Sequence, residues 1–210
     1  MSPPPKRYPV EVLLPEEVQA LMDVCGRRAP TGIRNRALIC LLYRTGLRLA
    51  ESLRLEHKDI SIDTRTLVVL RGKGGKRRVV GVDDAVIEEL RRWFGVKRKR
   101  RLGLTTPVFC TLAGGPVAHA YVRSLLPRLA VRAGIQKRVH AHALRHTFSS
   151  ELAHEGTPIN VIQQALGHSS IQTTSRYLDH IAPMEVIRRL SEREMAVPNR
   201  RRRRAAQLEG

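Results

Sequence analysis

Several kinds of residue and motif are scarce in this sequence. Its three cysteines are isolated and form no C-x-x-C pair, so neither a disulfide framework nor a cysteine zinc site is indicated. Aromatic residues make up only 4% of the chain, too few for the stacking platforms that hold single-stranded nucleic acid. No apolar run reaches the ~20 residues of a membrane-spanning helix, and the amino terminus lacks a signal-peptide core. Together these absences predict a protein of the reducing cytoplasm that does not bind membranes.

Acidic residues are also in short supply. The 210-residue chain has 38 Lys and Arg against 19 Asp and Glu, which gives a formal net charge of +19. Such an excess repels itself unless an anionic partner neutralises it. Double-stranded DNA, contacted through its phosphates, is therefore the expected partner.

Hydrophobic periodicity predicts a mainly α-helical α+β domain with one small sheet. After a proline-rich basic arm over residues 1–13, apolar spacing predicts helices that begin near Pro15 and Leu47, and between them a helix that Thr31 would cap. Two β-rich runs flank a glycine-rich segment and predict an antiparallel hairpin or sheet near residues 60–82. Asp83 or Asp84 is expected to cap the next helix. Further helices are predicted over residues 118–133, 142–155, 158–166, 171–179 and 183–196, before an arginine-rich tail over residues 197–210 that is expected to be disordered.

The densest cluster of ionisable side chains lies at the start of the helix predicted from residue 142. At about 100° per residue, His142, Arg145 and His146 share one flank of that helix. Gly167 is expected to end the following helix in a left-handed conformation, which places His168 at a fixed turn. Nine residues later comes Tyr177, near the end of a short predicted helix. Taken singly, each of these residues is typical of a polar helix face or a half-buried core.

Taken together, these segments resemble the tyrosine recombinase (phage integrase) family, which includes the Xer recombinases. Residues 45–51 (TGLRLAE) resemble the family's first arginine box, and residues 72–77 (GKGGKR) resemble its β-hairpin lysine motif. Residues 142–146 (HALRH) and 166–168 (LGH) resemble the second and third boxes, and Tyr177 lies where the family has its nucleophile. One such motif is weak evidence, whereas five in the same order and spacing, across most of the chain, are a specific signature.

The resemblance implies a role for each residue of these motifs. Arg48 and Arg145 would hold the non-bridging oxygens of a DNA phosphate. Glu51 would contact Arg48, and not the phosphate, and so orient Arg48. Lys73 would protonate the departing 5′-oxygen as a general acid, although Lys76 is a rival proton donor. Lys76 and two further basic residues, Arg77 and His146, are expected to contact DNA.

Tyr177 would form a 3′-phosphotyrosine and release a free 5′-hydroxyl, so rejoining needs no ATP. His142 is the candidate to help deprotonate Tyr177, and His168 the candidate to donate a hydrogen bond to the phosphate, but their division of roles stays open. The motifs contain neither a carboxylate pair nor an H-E-x-x-H sequence, so no metal or other cofactor is expected.

Family members commonly carry an amino-terminal helical DNA-binding domain, whereas only fourteen residues precede Pro15 here. The sequence therefore matches the catalytic domain, over residues 14–182, of either a fragment or a naturally short recombinase. The basic block at 97–101 and the arginine tail are expected to supply some of the missing phosphate contacts. In the family a carboxy-terminal segment often docks on a neighbouring subunit; residues 183–196 would do so, or pack on their own domain.

The resemblance implies site-specific DNA recombination by a homotetramer on DNA, from a chain that is monomeric or weakly oligomeric when free. An accessory DNA-binding protein or a partner recombinase is a further expected partner. The resemblance also implies a protein associated with a prokaryotic nucleoid or encoded by a phage or mobile element. Two alternatives remain. The same residues would relax DNA if a monomer cut and religated one strand, as a type IB topoisomerase does. A DNA-binding module with weak or no recombination of its own is the other alternative.

Overall fold

The computed structural model describes residues 11–70 and 77–167. Within these ranges the chain forms seven α-helices, one turn of 3₁₀ helix at His57–Asp59 and a three-stranded antiparallel sheet, which confirms the predicted α+β class. The helices are α1 (Pro15–Asp23), α2 (Pro30–Thr45), α3 (Leu49–Leu53), α4 (Asp84–Lys99), α5 (His119–Arg132), α6 (Ala141–His154) and α7 (Ile159–Leu166), and the strands are β1 (Ile60–Ser61), β2 (Thr66–Val69) and β3 (Arg78–Gly81).

The sheet follows the alternation of its sequence. β2 lies between β1 and β3, and Leu67 pairs with Val80. Both of these residues are buried, whereas Val79 on the opposite face is 60% exposed, because successive side chains of a strand point to opposite faces. The predicted hairpin over residues 66–82 is thus confirmed in its strands. Its connecting segment, with Lys73 and Lys76, lies outside the described residues.

Helix α2 is the central element of the core. It packs against α1, α4 and α6, and buries residues on nearly every side, among them Leu38, Leu41 and Leu42. Trp93 of α4 is fully buried, and its indole N–H donates a hydrogen bond of 2.6 Å to the carbonyl of Val108. Because α2 is close-packed on nearly every side, the residues at its two ends are held in fixed positions.

The helix starts agree with the sequence in part. The prediction that Thr31 caps α2 is wrong, because the helix begins at Pro30; proline suits the first helical position, where its fixed φ fits and its missing N–H is not needed. Of the two caps proposed for α4, Asp83 is the one used, since its side chain accepts a hydrogen bond of 3.0 Å from the backbone N–H of Val86. The N-cap residue of α6 is His140, whose Nδ1 accepts from the N–H of Ala143 at 3.1 Å.

The basic block at residues 97–101 is not uniformly a surface feature. Lys97 is 2% exposed, and its ammonium donates to the carbonyl of Pro107 at 2.8 Å and lies 2.7 Å from Nε2 of His57. The aliphatic stem and charged head of Lys97 are enclosed by the domain, so the phosphate contacts expected of this block fall to its exposed members, residues 98–101, and stay a prediction. In the two described ranges, no helix is long and apolar enough to cross a membrane.

Candidate active site

The first arginine box forms a tight connection between α2 and α3. Gly46 ends α2 with φ of 59°, a left-handed conformation that favours glycine. A Cβ atom at this position would lie 2.3 Å from Cδ1 of Phe148, so the close approach of α6 also requires glycine. Two residues later, Arg48 becomes the N-cap residue of α3, where its backbone N–H donates to a Glu51 carboxylate oxygen at 2.9 Å.

The side chain of Arg48 is held from one side and open on the other. Its guanidinium donates to Oε1 of Glu51 at 3.0 Å and to the carbonyl of Gly167 at 3.4 Å. One third of the Arg48 side chain remains exposed, whereas the Glu51 side chain is only 5% exposed. Arg48 therefore presents a charge at the surface that is held by a buried carboxylate, and the orienting role of Glu51 stays a prediction.

Arg145 lies deeper in the domain. Only 3% of the residue is exposed, and its guanidinium donates to the carbonyl of Gly46, at the end of α2, and to that of Leu166, at the end of α7, the latter at 2.7 Å. Both carbonyls lie at helix carboxyl termini, where the helix dipole favours a cation. Because Arg48 contacts the next carbonyl along the chain, that of Gly167, the end of α7 brings the two arginines together.

Three histidines line the amino-terminal end of α6. His142 is an exposed residue, and the centroid of its ring lies 4.4 Å from that of His146 and 6.4 Å from that of His140. The surrounding protein lowers the pKa of His142 below its ordinary value, first through burial of the ring and then through the positive charges of Arg145, His140 and Arg48. The neutral form of His142, which can accept a proton, is thereby favoured near neutral pH.

The two described residues predicted to contact DNA differ in exposure. Arg77 is exposed immediately before β3. His146 is only 9% exposed, because it lies on the inward side of α6 beside His142, and this leaves little surface for direct contact with a phosphate. DNA contact by either residue stays a prediction.

The prediction from sequence missed Arg78. This arginine starts β3 and donates two hydrogen bonds to Glu51, one to Oε1 at 3.0 Å and one to Oε2 at 2.7 Å, and a third to the carbonyl of Ala165 at 3.3 Å. Its side chain is 11% exposed. The available signal was the alternation of the strand, since residues 78 and 80 share a face and Val80 is buried.

The ionisation of Glu51 reflects this arrangement. Burial alone would raise the pKa of its carboxyl group. The hydrogen bonds from the Arg78 side chain and the Arg48 backbone, with the attraction of both guanidinium charges, outweigh burial and hold the pKa below its ordinary value. Glu51 is therefore an anion at neutral pH, held between two cations.

Four of the predicted residues, Lys73, Lys76, His168 and Tyr177, lie outside the described residues. The described chain nevertheless leads directly to them. Arg78, which contacts Glu51, is two positions after Lys76 in the sequence. Gly167 is the residue before His168. Over residues 11–70 and 77–167, no group of three or more His, Cys, Asp or Glu side chains could hold a metal ion.

The fold of this mainly helical domain with its small antiparallel sheet is similar to that of several solved structures. The XerA recombinase superposes with a TM-score of 0.74 at 29% identity, over 90% of this chain and 68% of that one. The XerH site-specific recombinase bound to difH substrate superposes with a TM-score of 0.70 at 30% identity, over 82% and 51% of the two chains. The fold is thus that of the catalytic domains of tyrosine recombinases.

Sequence comparison leads to the same class. Residues 11–182 match the model of the phage integrase family, and the chain belongs to that family. It is 39% identical over 173 residues to tyrosine recombinase XerC of Xanthomonas campestris pv. campestris (strain B100), which covers 82% of this chain and 52% of the relative. It is 32% identical over 184 residues to tyrosine recombinase XerD of Staphylococcus saprophyticus subsp. saprophyticus, over 87% and 62% of the two chains. The chain thus spans about half to two thirds of the length of these curated relatives.

Proposed function

We propose that this protein is a site-specific DNA recombinase that breaks and rejoins DNA through a covalent bond between Tyr177 and a backbone phosphate. The observation that carries the proposal is the convergence of Arg48 and Arg145 on successive carbonyls at the end of α7, directly before His168. Two guanidinium groups held at the same helix end can neutralise the charge that develops on the non-bridging oxygens of a phosphodiester.

The proposed cleavage step is a transesterification that needs no external energy. The phenol oxygen of Tyr177 bonds to phosphorus while the bond from phosphorus to the 5′-oxygen breaks. The phenol proton passes to neutral His142, and Lys73 supplies a proton to the departing 5′-oxygen, with Lys76 as the alternative donor. In the reverse reaction the 5′-hydroxyl of another strand attacks phosphorus, the bond to Tyr177 breaks and the DNA is rejoined. Lys73 regains its proton from this hydroxyl, and Tyr177 regains its proton from His142.

DNA binding is supported by charge and by likeness. The net charge of +19 favours a polyanionic partner, and the similar XerH recombinase has been solved bound to difH substrate. We propose that the protein binds double-stranded DNA in the cytoplasm and assembles there as a homotetramer, with or without a partner recombinase or accessory protein. Residues 183–196 would join neighbouring subunits if they form a helix, since Met184, Val186, Ile187 and Leu190 would then share an apolar face.

A covalent trap tests the proposal directly. The protein is incubated with a pool of duplexes of randomised sequence, each nicked so that the strand segment released by cleavage diffuses away and religation is blocked. Adducts that survive denaturation are then recovered and sequenced. We expect adducts enriched in one sequence, with Tyr177 as the linked residue, and none from Tyr177→Phe.

Three outcomes separate the alternatives. An absence of adducts, or adducts that persist in Tyr177→Phe, would overturn the mechanism. Adducts without sequence preference, accompanied by relaxation of plain plasmids, would instead identify a topoisomerase. Strand exchange between two marked duplexes that carry the enriched sequence would establish recombination.

A further inference from the structure

Arg78 has no part in the chemistry described above, yet it is bound to the residue that supports Arg48. We propose that Arg78 is a positioning residue that acts through Glu51 to set the orientation and the effective charge of Arg48. The inference rests on the proposed function, because it assigns Arg48 to the scissile phosphate. It adds a residue of strand β3 to the support of Arg48.

The hydrogen bonds of Glu51 leave its carboxylate a single orientation. Oε1 accepts from the guanidinium groups of both Arg48 and Arg78, each at 3.0 Å. Oε2 accepts from the backbone N–H of Arg48 at 2.9 Å and from the guanidinium of Arg78 at 2.7 Å. The planar fork of Arg78 matches the plane of the carboxylate, which is a pairing that a lysine cannot reproduce. Glu51 therefore cannot rotate without loss of the bonds that aim Arg48.

Charge gives Arg78 a second effect on the same arginine. The Glu51 side chain is 5% exposed, so its negative charge is poorly screened by solvent. If Glu51 faced Arg48 alone, the two charges would largely cancel, and Arg48 would attract a phosphate weakly. The positive charge of Arg78 compensates for Glu51, so that the three groups together carry one net positive charge beside Arg145.

Arg78 also contacts the last turn of α7. Its Nε donates to the carbonyl of Ala165 at 3.3 Å. Gly167, with φ of 64°, is so close that a Cβ atom there would lie 2.8 Å from Nη1 of Arg78. One side chain thus joins the start of β3, the support of Arg48 and the turn before His168. A change at Arg78 is expected to affect catalysis more than the binding of DNA.

The first test compares Arg78→Gln and Arg78→Lys with the wild-type protein on the nicked duplex that the covalent trap enriches. Single-turnover adduct formation should slow by roughly tenfold to a hundredfold in Arg78→Gln, the range known for outer partners of active-site ligands at metal centres. Arg78→Lys should recover only part of the rate, while DNA affinity changes little in both. Arg91→Gln, an exposed arginine of α4, is the matched control and should keep the wild-type rate.

A charge-altered substrate separates positioning from general damage to the fold. In a duplex whose scissile phosphate carries a methylphosphonate, one non-bridging oxygen is replaced by a neutral methyl group. Less positive charge is then needed to stabilise the transition state. The difference in cleavage rate between Arg78→Gln and wild type should therefore be smaller on this substrate, and so should the difference between Arg48→Ala and wild type. A variant slowed by misfolding would show the same relative defect on both substrates.

A double-mutant comparison tests whether Arg78 acts through Glu51. If it does, Arg78→Gln combined with Glu51→Gln should be no slower than Glu51→Gln alone. Multiplicative losses would contradict the route through Glu51. Wild-type rates in Arg78→Gln, or a full defect that persists on methylphosphonate, would overturn the proposal.

A measurement without DNA keeps the inference testable if wild-type protein forms no adduct, an outcome that would refute the proposed function itself. The carboxyl group of Glu51 can be titrated by ¹³C NMR in folded wild type and Arg78→Gln. Loss of the Arg78 hydrogen bonds and charge should raise the pKa of Glu51. An unchanged pKa would show that Arg78 does not control this carboxylate, and would overturn the inference independently.

Discussion

At the scale of single residues, the domain holds several of its arginines inside rather than on its surface. Arg145 is bound to two helix-terminal carbonyls, and Arg34, which is 4% exposed, donates to the carbonyl of Cys110 at 3.2 Å. Arg36 is paired with Glu89 at 2.7 Å. A buried guanidinium is tolerated only when its donors are satisfied, so these arginines are fixed in direction. Fixed direction is what a catalytic arginine needs.

The pKa of His142 provides a prediction at this scale. Because burial and then the charges of Arg145, His140 and Arg48 lower it, the titration of His142 in folded protein should have its midpoint below the ordinary value of 6.5. ¹H–¹³C NMR of labelled histidine, assigned with His142→Gln, measures it. Arg48→Gln removes one of the cations and should raise the midpoint. A midpoint at or above 6.5 would contradict the environment described for His142.

The lowered pKa of His142 also makes the stability of the domain depend on pH. As pH falls through 6.5, His142 of the unfolded chain takes up a proton, while His142 of the folded chain does so only at lower pH. The unfolded state therefore binds more protons in this window, and the free energy of unfolding decreases as pH falls. His142→Gln should show a smaller decrease between pH 7 and pH 5, since this contribution is absent.

The sequence predicted individual site residues where a motif marked them and missed one where it did not. The positions of Arg48, Glu51, His142 and Arg145 followed from the resemblance, and the structure brings them to one region. Arg78 is next to another arginine in a basic stretch, which is typical of a solvated strand end. Its partners lie 27 and 87 residues away in the chain, and such pairings depend on tertiary packing that no local pattern displays.

At the scale of elements, the site is formed by the ends of helices, which position its arginines. α2 and α7 both end in left-handed glycines, and each of these ends offers a carbonyl to Arg145. Periodicity predicted where these helices run, and glycine predicted where they stop. Neither pattern could predict that the two helix ends meet, because α2 and α7 are separated by more than a hundred residues and are joined through α6.

Gly46→Ala is predicted to destabilise the domain more than Gly26→Ala. Both glycines have positive φ, so each substitution carries a backbone strain of about 1–2 kcal/mol. A Cβ atom on Gly26 meets nothing within 4 Å, whereas on Gly46 it would lie 2.3 Å from the ring of Phe148. The additional overpacking should lower the free energy of unfolding by a further ~1–3 kcal/mol.

Urea denaturation of the two variants and the wild type measures this difference. Gly26→Ala serves as the control for backbone strain alone, so the comparison isolates the contact with α6. Equal losses in the two variants would mean that α6 moves away from Gly46 without resistance. The close packing that places Arg145 against the Gly46 carbonyl would then be incorrect.

At the scale of the whole molecule, charge predicted the kind of partner but not how the charge is distributed. The net charge of +19 indicated DNA, and the structure then showed that Lys97 and several arginines are turned inward. Composition counts such residues with the rest, since only packing distinguishes a buried cation from an exposed one. On the proposed function, the exposed cations of the described residues are the first candidates for phosphate contacts outside the active site.

The five consecutive arginines at 200–204 give the last prediction. The affinity for a duplex should fall linearly with the logarithm of salt concentration, and the slope should reflect the number of phosphates neutralised, at about 0.9 for each. A chain that ends at residue 198 should show a shallower slope, by about that amount for every tail arginine that contacts a phosphate. Its affinity should approach that of the full chain as salt increases.

Fluorescence anisotropy with a labelled duplex over a series of KCl concentrations measures both slopes. A chain that ends at residue 204 is the matched control, because it lacks the final six residues but keeps the five arginines, and it should retain the full slope. If the chain ending at residue 198 keeps the same slope as this control, the tail does not contact DNA. The phosphate contacts would then belong entirely to the folded domain, where Arg77 and the exposed part of Arg48 are the first residues to substitute.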